Sequence, residues 1–326
     1  MACMNDNLGR NIDYLRVSLT DRCNMRCRYC MPEEGTTLYS HQEMLTLEEV
    51  ARVCGCAARL GISRIRLTGG EPLVRRNVVW LTKQLTALPG ITEVSMTTNG
   101  ALLPEYAAGL KEAGLSGVNV SLDTLNRERF LHITRRDLYD QVLAGIGAAK
   151  TAGLKVKLNC AVSEDFDRKE VLDFAQFSIV RQIPVRFIEM MPIGQGRTQR
   201  TVDNDTLLEV LKKEYPDTET LQKSLGGGPA VYYTFAGGKG CIGLISAVHH
   251  KFCGQCNRVR LTSDGYLKLC LAREDGIGLR DRLRGGISEE ELMEIMAEAI
   301  RHKPEGHSFG LDGDRRTNIN MNRIGG

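Results

Sequence analysis

The chain has 326 residues, with 43 Lys and Arg against 40 Asp and Glu for a net charge of +3, 42% hydrophobic and 25% charged residues. That length suits about two domains, or one (β/α) barrel with an appendix, and the composition is close to the soluble globular average. No window approaches the ~18 apolar residues of a membrane span, the balanced charge excludes a general nucleic-acid coat, and the opening MACMNDNLGRNID lacks the basic and apolar regions of a secretory signal. The expectation is a cytoplasmic protein with neither membrane nor nucleic acid as partner.

Taken in chain order, runs at 12–19, 64–68, 93–97, 118–122, 155–162 and 185–190 have the length and residue types of strands. Helical segments lie between them. The first, LTLEEVARVCGCAARLG, has Thr46 and Glu49 placed for a capping box and Gly61 for a stop. Others are expected at 78–88, 104–113, 139–152 and 169–180. This alternation predicts parallel βαβ units, and six repeats predict an α/β fold, a full or partial (β/α)6 barrel.

After Gly196 the pattern changes. A helix is expected at 205–214, and LGGGPAVYYTFAGGKGCIGLISAV then reads as loops and antiparallel strands. A boundary is placed in the glycine-containing stretch 221–228, which reads as a linker and divides the chain into 1–222 and 223–326. The last helix, SEEELMEIMAEAIRHK, has Ser288 and Glu291 as its capping box. The ending INMNRIGG by itself reads as a frayed tail.

Cysteine is the outlier of the composition, with 11 residues. Disulfides are disfavoured by the odd count, by a chain large enough to build its own core and by the absence of an export signal. The segment DRCNMRCRYCMP follows the first strand and spaces Cys23, Cys27 and Cys30 as C-x3-C-x2-C. Loops that follow strands collect at one face of a βα fold, where ligands bind. Three thiolates are one short of the usual four ligands of a [4Fe–4S] cluster and leave one iron open for chemistry. A structural zinc site would need a fourth protein ligand, and only His41 is near. A second group, FCGQCNRVRLTSDGYLKLCL, holds Cys253, Cys256 and Cys270. A turn at Ser263–Gly265 folds two strands together and brings Cys270 roughly opposite Cys256. The alternative is a zinc knuckle completed by His249 or His250. Cys3, Cys54, Cys56, Cys160 and Cys241 read as packing residues or free thiols.

Other candidates lie near the strand ends. Gly69 and Gly70 of RIRLTGGEPLVRR let backbone groups approach a ligand without Cβ obstruction, although GGEP alone could be an ordinary strand-to-helix turn. Arg258 and Arg260 alternate to one face of a strand, with Arg16, Arg66 and Lys157 on others. Singly, each reads as a solvated surface residue. Facing inward together, they would be costly without an anion.

The C-x3-C-x2-C loop, with Tyr29 before its third cysteine and GGEP behind it, resembles the radical S-adenosylmethionine (SAM) superfamily. YLRVSLTDRCNMRCRYCMP, IRLTGGEPLVRR, TTNG, NVSLD, RFIEMMPIG, FCGQCNRVRLTSDGYLKLCL and MNRIGG together are similar to its GTP 3′,8-cyclase family of molybdenum-cofactor biosynthesis. The likeness runs from about residue 9 to 326 and is weakest at 197–240.

The resemblance implies a partial (β/α)6 radical SAM barrel with a C-terminal iron–sulfur-binding extension. It implies one [4Fe–4S] cluster on Cys23, Cys27 and Cys30, whose open iron is chelated by SAM, and a second [4Fe–4S] cluster on Cys253, Cys256 and Cys270 that meets the guanine of GTP. SAM contacts would fall on Tyr29, Gly70, Ser121 and Met191. GTP contacts would fall on Arg16, Arg66, Thr97, Lys157, Arg258, Val259 and Arg260. The tail residues Gly325 and Gly326 would reach into the active site in a catalytic role. The implied reaction is conversion of GTP to 3′,8-cyclo-7,8-dihydro-GTP, begun when a 5′-deoxyadenosyl radical takes hydrogen from C3′. A flavodoxin or ferredoxin is the implied reductant, cyclic pyranopterin monophosphate synthase the metabolic successor, and a homodimer is allowed. The alternatives are another radical SAM enzyme with an auxiliary cluster, such as one maturing a peptide, and a non-catalytic zinc protein that binds nucleotide or RNA.

Overall fold

The computed structural model describes residues 4–222, 225–307, 309 and 319–325. Six strands arise where expected: β1 (Tyr14–Ser18), β2 (Arg64–Thr68), β3 (Glu93–Thr98), β4 (Gly117–Ser121), β5 (Lys155–Val162) and β6 (Val185–Glu189). Six more follow: β7 (Glu219–Thr220), β8 (Val231–Phe235), β9 (Gly240–Ile245), β10 (Arg258–Leu261), β11 (Tyr266–Lys268) and β12 (Gly276–Gly278). All twelve form one sheet in the order β12-β11-β10-β1-β2-β3-β4-β5-β6-β9-β8-β7. Its ends are not joined, so the barrel is partial.

The strands β1 to β6 pair in parallel in chain order. The segment after Gly196, expected to be antiparallel, extends this arrangement on both sides. Strand β10 pairs in parallel with β1, and β9 pairs in parallel with β6. Only beyond them do antiparallel hairpins appear, β10–β11 and β8–β9. The turn of the first hairpin contains Gly265 at φ +85°, a left-handed position suited to glycine.

The helices are α1 (Leu47–Arg59), α2 (Val78–Thr86), α3 (Leu103–Glu112), α4 (Arg127–Thr134), α5 (Tyr139–Thr151), α6 (Glu170–Arg181), α7 (Asn204–Glu214), α8 (Arg280–Arg284), α9 (Glu289–Arg301) and α10 (Met321–Ile324). Both predicted capping boxes form, Thr46 with Glu49 and Ser288 with Glu291. Helix α4 was not anticipated. It is short, with a weakly apolar sequence, RERFLHIT, started by Asn126, whose side chain accepts from the Arg129 amide.

Strand alternation explains how the sheet positions a site. Leu15, Val17, Ile65, Leu67, Val94, Met96, Val118 and Val120 belong to the apolar core. The intervening residues Arg16, Arg66, Asn119, Lys157, Asn159 and Arg186 face the other side and line a cavity. Because successive side chains in a strand point to opposite faces, one face binds the helices and the other is left polar.

Candidate active site

Two approaches of backbone shape the first cysteine loop. The amide of Gly70 donates to the Thr20 carbonyl at 2.7 Å, and that of Glu71 to the Arg22 carbonyl at 2.8 Å. A Cβ on Gly70 would stand 2.3 Å from the Arg22 oxygen, so GGEP reaches the loop only with glycine there. On its other side the loop pairs with the end of α4, through Arg26 N to Thr134 O and Arg28 N to Ile133 O, both at 3.0 Å. The Arg26 guanidinium donates to the carbonyls of Cys23 and Met25.

Burial pushes the Cys23 thiol up to about 11 and the Cys30 thiol up to about 12, and drives Cys27 well above its ordinary value. Such thiols ionise only with a positive partner, which a metal cluster supplies. The Met25 amide points to Cys23 Sγ at 3.4 Å. Around this loop, Tyr29 donates to Asp123 Oδ2 at 2.8 Å, and Ser121 opens onto a small cavity shared with Cys27 and Tyr29. Gly70, Tyr29 and Ser121 are thus gathered around the triad. Glu71 is fully buried and accepts from Thr98 Oγ1 and the amides of Leu73 and Asn99; burial raises its carboxyl to about 7.

The larger cavity, about 1350 Å³ including its open mouth, is lined by Cys253, Cys256 and Cys270 together with the polar face of the sheet. Seven cations line it: Arg16, Arg66, Lys157, Arg186, Arg258, Arg260 and Lys303. Register explains the grouping, since Arg16 stands between Arg66 on β2 and Arg260 on β10. Burial and the neighbouring Arg260 lower the Arg16 guanidinium well below its ordinary value. Burial and Arg258 bring Arg260 to about 10, and burial with Arg186 and Arg66 brings Lys157 to about 8. Arg66 Nη1, Arg258 Nε and Asn159 Oδ1 are buried without a partner in the chain. Crowded cations with orphaned donors form a preorganised anion site.

Neither cysteine triad has the spacing of a single tetrahedral ion. Among the described residues, donor triplets within 4.8 Å are Glu189–Asp203–His249 and Asp203–Asp205–His250, and neither cysteine triad is drawn that close. A tetrahedral zinc–thiolate site would hold its sulfurs roughly 3.8 Å apart. His249 Nδ1 meets Glu189 and His250 Nε2 meets Asp205, each at 2.9 Å, which leaves one nitrogen of each ring open; against the zinc-knuckle alternative, no donor triplet among the described residues joins either histidine to a cysteine.

The remaining sequence candidates are distributed as follows. Met191 lines the large cavity. Thr97 lies beside Asn119 in the β3–β4 register, with its Oγ1 buried and unpartnered. Val259 is 1% exposed and its side chain belongs to the apolar core, so only its backbone could serve a ligand. The Gly325 carbonyl accepts from Arg260 Nη1 at 2.8 Å, and Asn322 donates to the Asp21 carbonyl, so the described part of the tail is docked rather than frayed. Gly326, like Cys3, lies outside the described residues. Residues 226–228, within the stretch read as linker, line the cavity with Pro229, and Lys157 donates to the Leu225 carbonyl.

Sequence reasoning missed Arg186, which burial and register place beside Asn159 on the polar face. Its signal was present: a lone arginine between Val185 and Phe187, in phase with the strand's inward positions.

Residues 17–178 match the Radical SAM superfamily, and residues 183–309 match Molybdenum Cofactor Synthesis C. A GTP 3′,8-cyclase of Clostridium perfringens is 46% identical, covering 99% of this chain and 100% of the relative. One from Moorella thermoacetica is 45% identical over 99% of this chain and 100% of its own. Molybdenum cofactor biosynthesis protein 1 of Drosophila melanogaster is 41% identical over 94% of this chain and 54% of its own. In structure, the chain resembles Streptococcus suis SuiB bound to S-adenosylmethionine, with a TM-score of 0.64 and 14% identity, covering 90% of this chain and 69% of that one. Matched over nearly its whole length, the chain belongs to the GTP 3′,8-cyclase family of the radical SAM superfamily.

Proposed function

We propose that this chain converts GTP to 3′,8-cyclo-7,8-dihydro-GTP, with SAM and a [4Fe–4S] cluster at Cys23, Cys27 and Cys30 and a second [4Fe–4S] cluster at Cys253, Cys256 and Cys270. The observation that carries the reading is the cavity that joins seven cations to the second cysteine triad. A nucleoside triphosphate carries about four negative charges near neutral pH, and arginine suits it through paired, charge-assisted hydrogen bonds.

When bound, the first cluster with SAM supplies one-electron, hydrogen-abstracting chemistry. The rest falls to the chain. Arg16, Arg66, Lys157, Arg186, Arg258 and Arg260 hold the triphosphate and fix its ribose, so that C3′ lies toward the first triad and C8 of guanine lies near C3′. This is catalysis by positioning. Tyr29, Gly70, Ser121 and Met191 hold SAM, Thr97 and the Val259 backbone complete the GTP site, and Gly325 closes it beside Arg260, with Gly326 sharing the tail's catalytic role. The glycine loop at 226–229 forms part of the wall that excludes water.

On this reading, residues 1–222 make the radical and residues 223–326 supply the second cluster and the Arg258–Arg260 contacts. A flavodoxin or ferredoxin delivers the electron, and cyclic pyranopterin monophosphate synthase consumes the product in the cytoplasm. The test is anaerobic turnover with SAM, dithionite and GTP deuterated at C3′, followed by mass spectrometry of 5′-deoxyadenosine. Deuterium in that product is the expected result. Undeuterated 5′-deoxyadenosine refutes the site of attack, and none from iron-loaded protein refutes the enzyme reading.

A further inference from the structure

Three segments far apart in sequence meet behind the second cysteine triad. Arg10 is 7% exposed and uses all five of its guanidinium N–H groups. Its Nε donates to Asp6 Oδ2 at 2.6 Å, Nη1 to the carbonyls of Cys253 and Glu305 at 2.9 Å, and Nη2 to those of Lys303 at 3.1 Å and Pro304 at 2.8 Å. Asp6 is itself fixed, because its Oδ1 accepts from the amides of Leu8 and Arg10. Lys303, 5% exposed, donates from Nζ to the carbonyl of Leu269, the residue before Cys270. One path of hydrogen bonds therefore leads from the Cys253 backbone through Arg10 and Lys303 to the backbone beside Cys270. Gly306 completes the fit: a Cβ there would stand 3.0 Å from Cys253 Sγ.

The charge of Lys303 is as telling as its position. Among the described residues it has no carboxylate partner. The groups that act on its ammonium are the thiols of Cys256 and Cys270, which favour the charge, and Arg10 and Arg258, which oppose it; burial opposes it most. A buried ammonium is expensive unless negative charge faces it; among the described residues the groups that favour its charge are Cys256 and Cys270, and an anion in the cavity that Lys303 also lines would add to them.

We propose that Asp6, Arg10 and Lys303 form a buried clasp that holds the second cysteine triad in register, and that Lys303 gives its positive charge to the thiolate-bound cluster there. The proposal rests on reading Cys253, Cys256 and Cys270 as a cluster site. All three are positioning residues that act through the cysteines. A fixed cation stabilises the reduced, more negative cluster and so raises its reduction potential.

The test uses the full chain, reconstituted anaerobically, with iron and sulfide assays and a redox titration followed by electron paramagnetic resonance. The first cluster is the internal reference, recognised by its response to added SAM. In Lys303→Gln the potential of the second cluster should shift downward while the first stays fixed, and Lys303→Arg should restore it. In Arg10→Lys, which keeps the charge but loses the fork of donors, iron should fall toward half, with the loss confined to the second signal. An unchanged second potential in Lys303→Gln, an equal shift at both clusters, or iron lost alike from both triads overturns the proposal. A wild-type chain that takes up iron at the first triad alone refutes the second-cluster reading itself, and the clasp with it.

Discussion

Lys157 ties the cation cavity to a measurable pH dependence. Its ammonium stands among Arg186, Arg66 and Lys155, with Glu93 the one opposing charge among its strongest influences, and burial with these cations holds it at about 8. The negative charge of a bound triphosphate offsets both causes and returns the group toward its ordinary 10.5. Tight binding therefore needs the protonated form, which is present below pH 8 and is lost as pH rises through it. Between pH 7.5 and 9 the protonated fraction falls from about three quarters to about one eleventh, so affinity should fall about eightfold. The γ-phosphate is already ionised across that window, and Lys157 is held inside it. Calorimetry of GTP binding to the SAM-loaded chain, in two buffers of different ionisation enthalpy, should show weakening with pH and proton uptake near pH 8.5. Lys157→Gln should bind roughly tenfold to a hundred and fifty-fold more weakly at pH 7.5, the range for a lost charged hydrogen bond, and its affinity should no longer vary with pH. A wild-type affinity independent of pH, or a slope that survives in Lys157→Gln, would refute the reasoning.

Arg258→Ala removes a guanidinium that lies 4.9 Å from the Phe252 ring centre with its Nε unpartnered; GTP binding should weaken by roughly tenfold to a hundred and fifty-fold, and unchanged binding in the same calorimetric assay would remove it from the site. Gly70→Ala must displace the Arg22 carbonyl that a Cβ would meet at 2.3 Å. It should lose SAM cleavage and the first cluster's iron while the second triad keeps its own, a split readable by iron assay and paramagnetic resonance. Gly325→Val meets two obstacles, a φ of +82° and a Cβ position 2.4 Å from Thr68 Oγ1. Freeing Arg260 from the Gly325 carbonyl should lower product formation more than 5′-deoxyadenosine formation, and chromatography of both would show equal losses if the tail only supports the fold.

The sheet was legible because its strands carry two independent signals, a run of β-forming residues and a break on either side. The outer edges of β2 and β5 fall where those signals place them. What the sequence could not disclose was partner choice, since β9 and β10 have the residues of any short strand and nothing local says that they join β6 and β1. Motif chemistry located the cysteines and five of the seven cations. Arg186 escaped because an isolated arginine on a strand carries weight only once the face it points to is known. Arg10 escaped for a different reason: four of its five contacts are backbone carbonyls, and a carbonyl is the same in every residue.

Strand β1 also imposes an order on the making of this protein. It is among the earliest elements to be synthesised, yet its neighbour on one side, β10, carries residues Arg258 to Val259 opposite Tyr14 and Leu15. Until that far segment emerges, β1 presents an unpaired edge, the kind of surface that invites pairing with another chain. Its other neighbour, β2, arrives early and brings GGEP against the cysteine loop. The first triad can therefore be assembled on a nascent chain, whereas the cation cavity must wait for nearly all of it. Such non-local pairing slows folding, so a cell short of chaperone capacity should accumulate chains that have their radical-forming loop in place and no substrate site to restrain it.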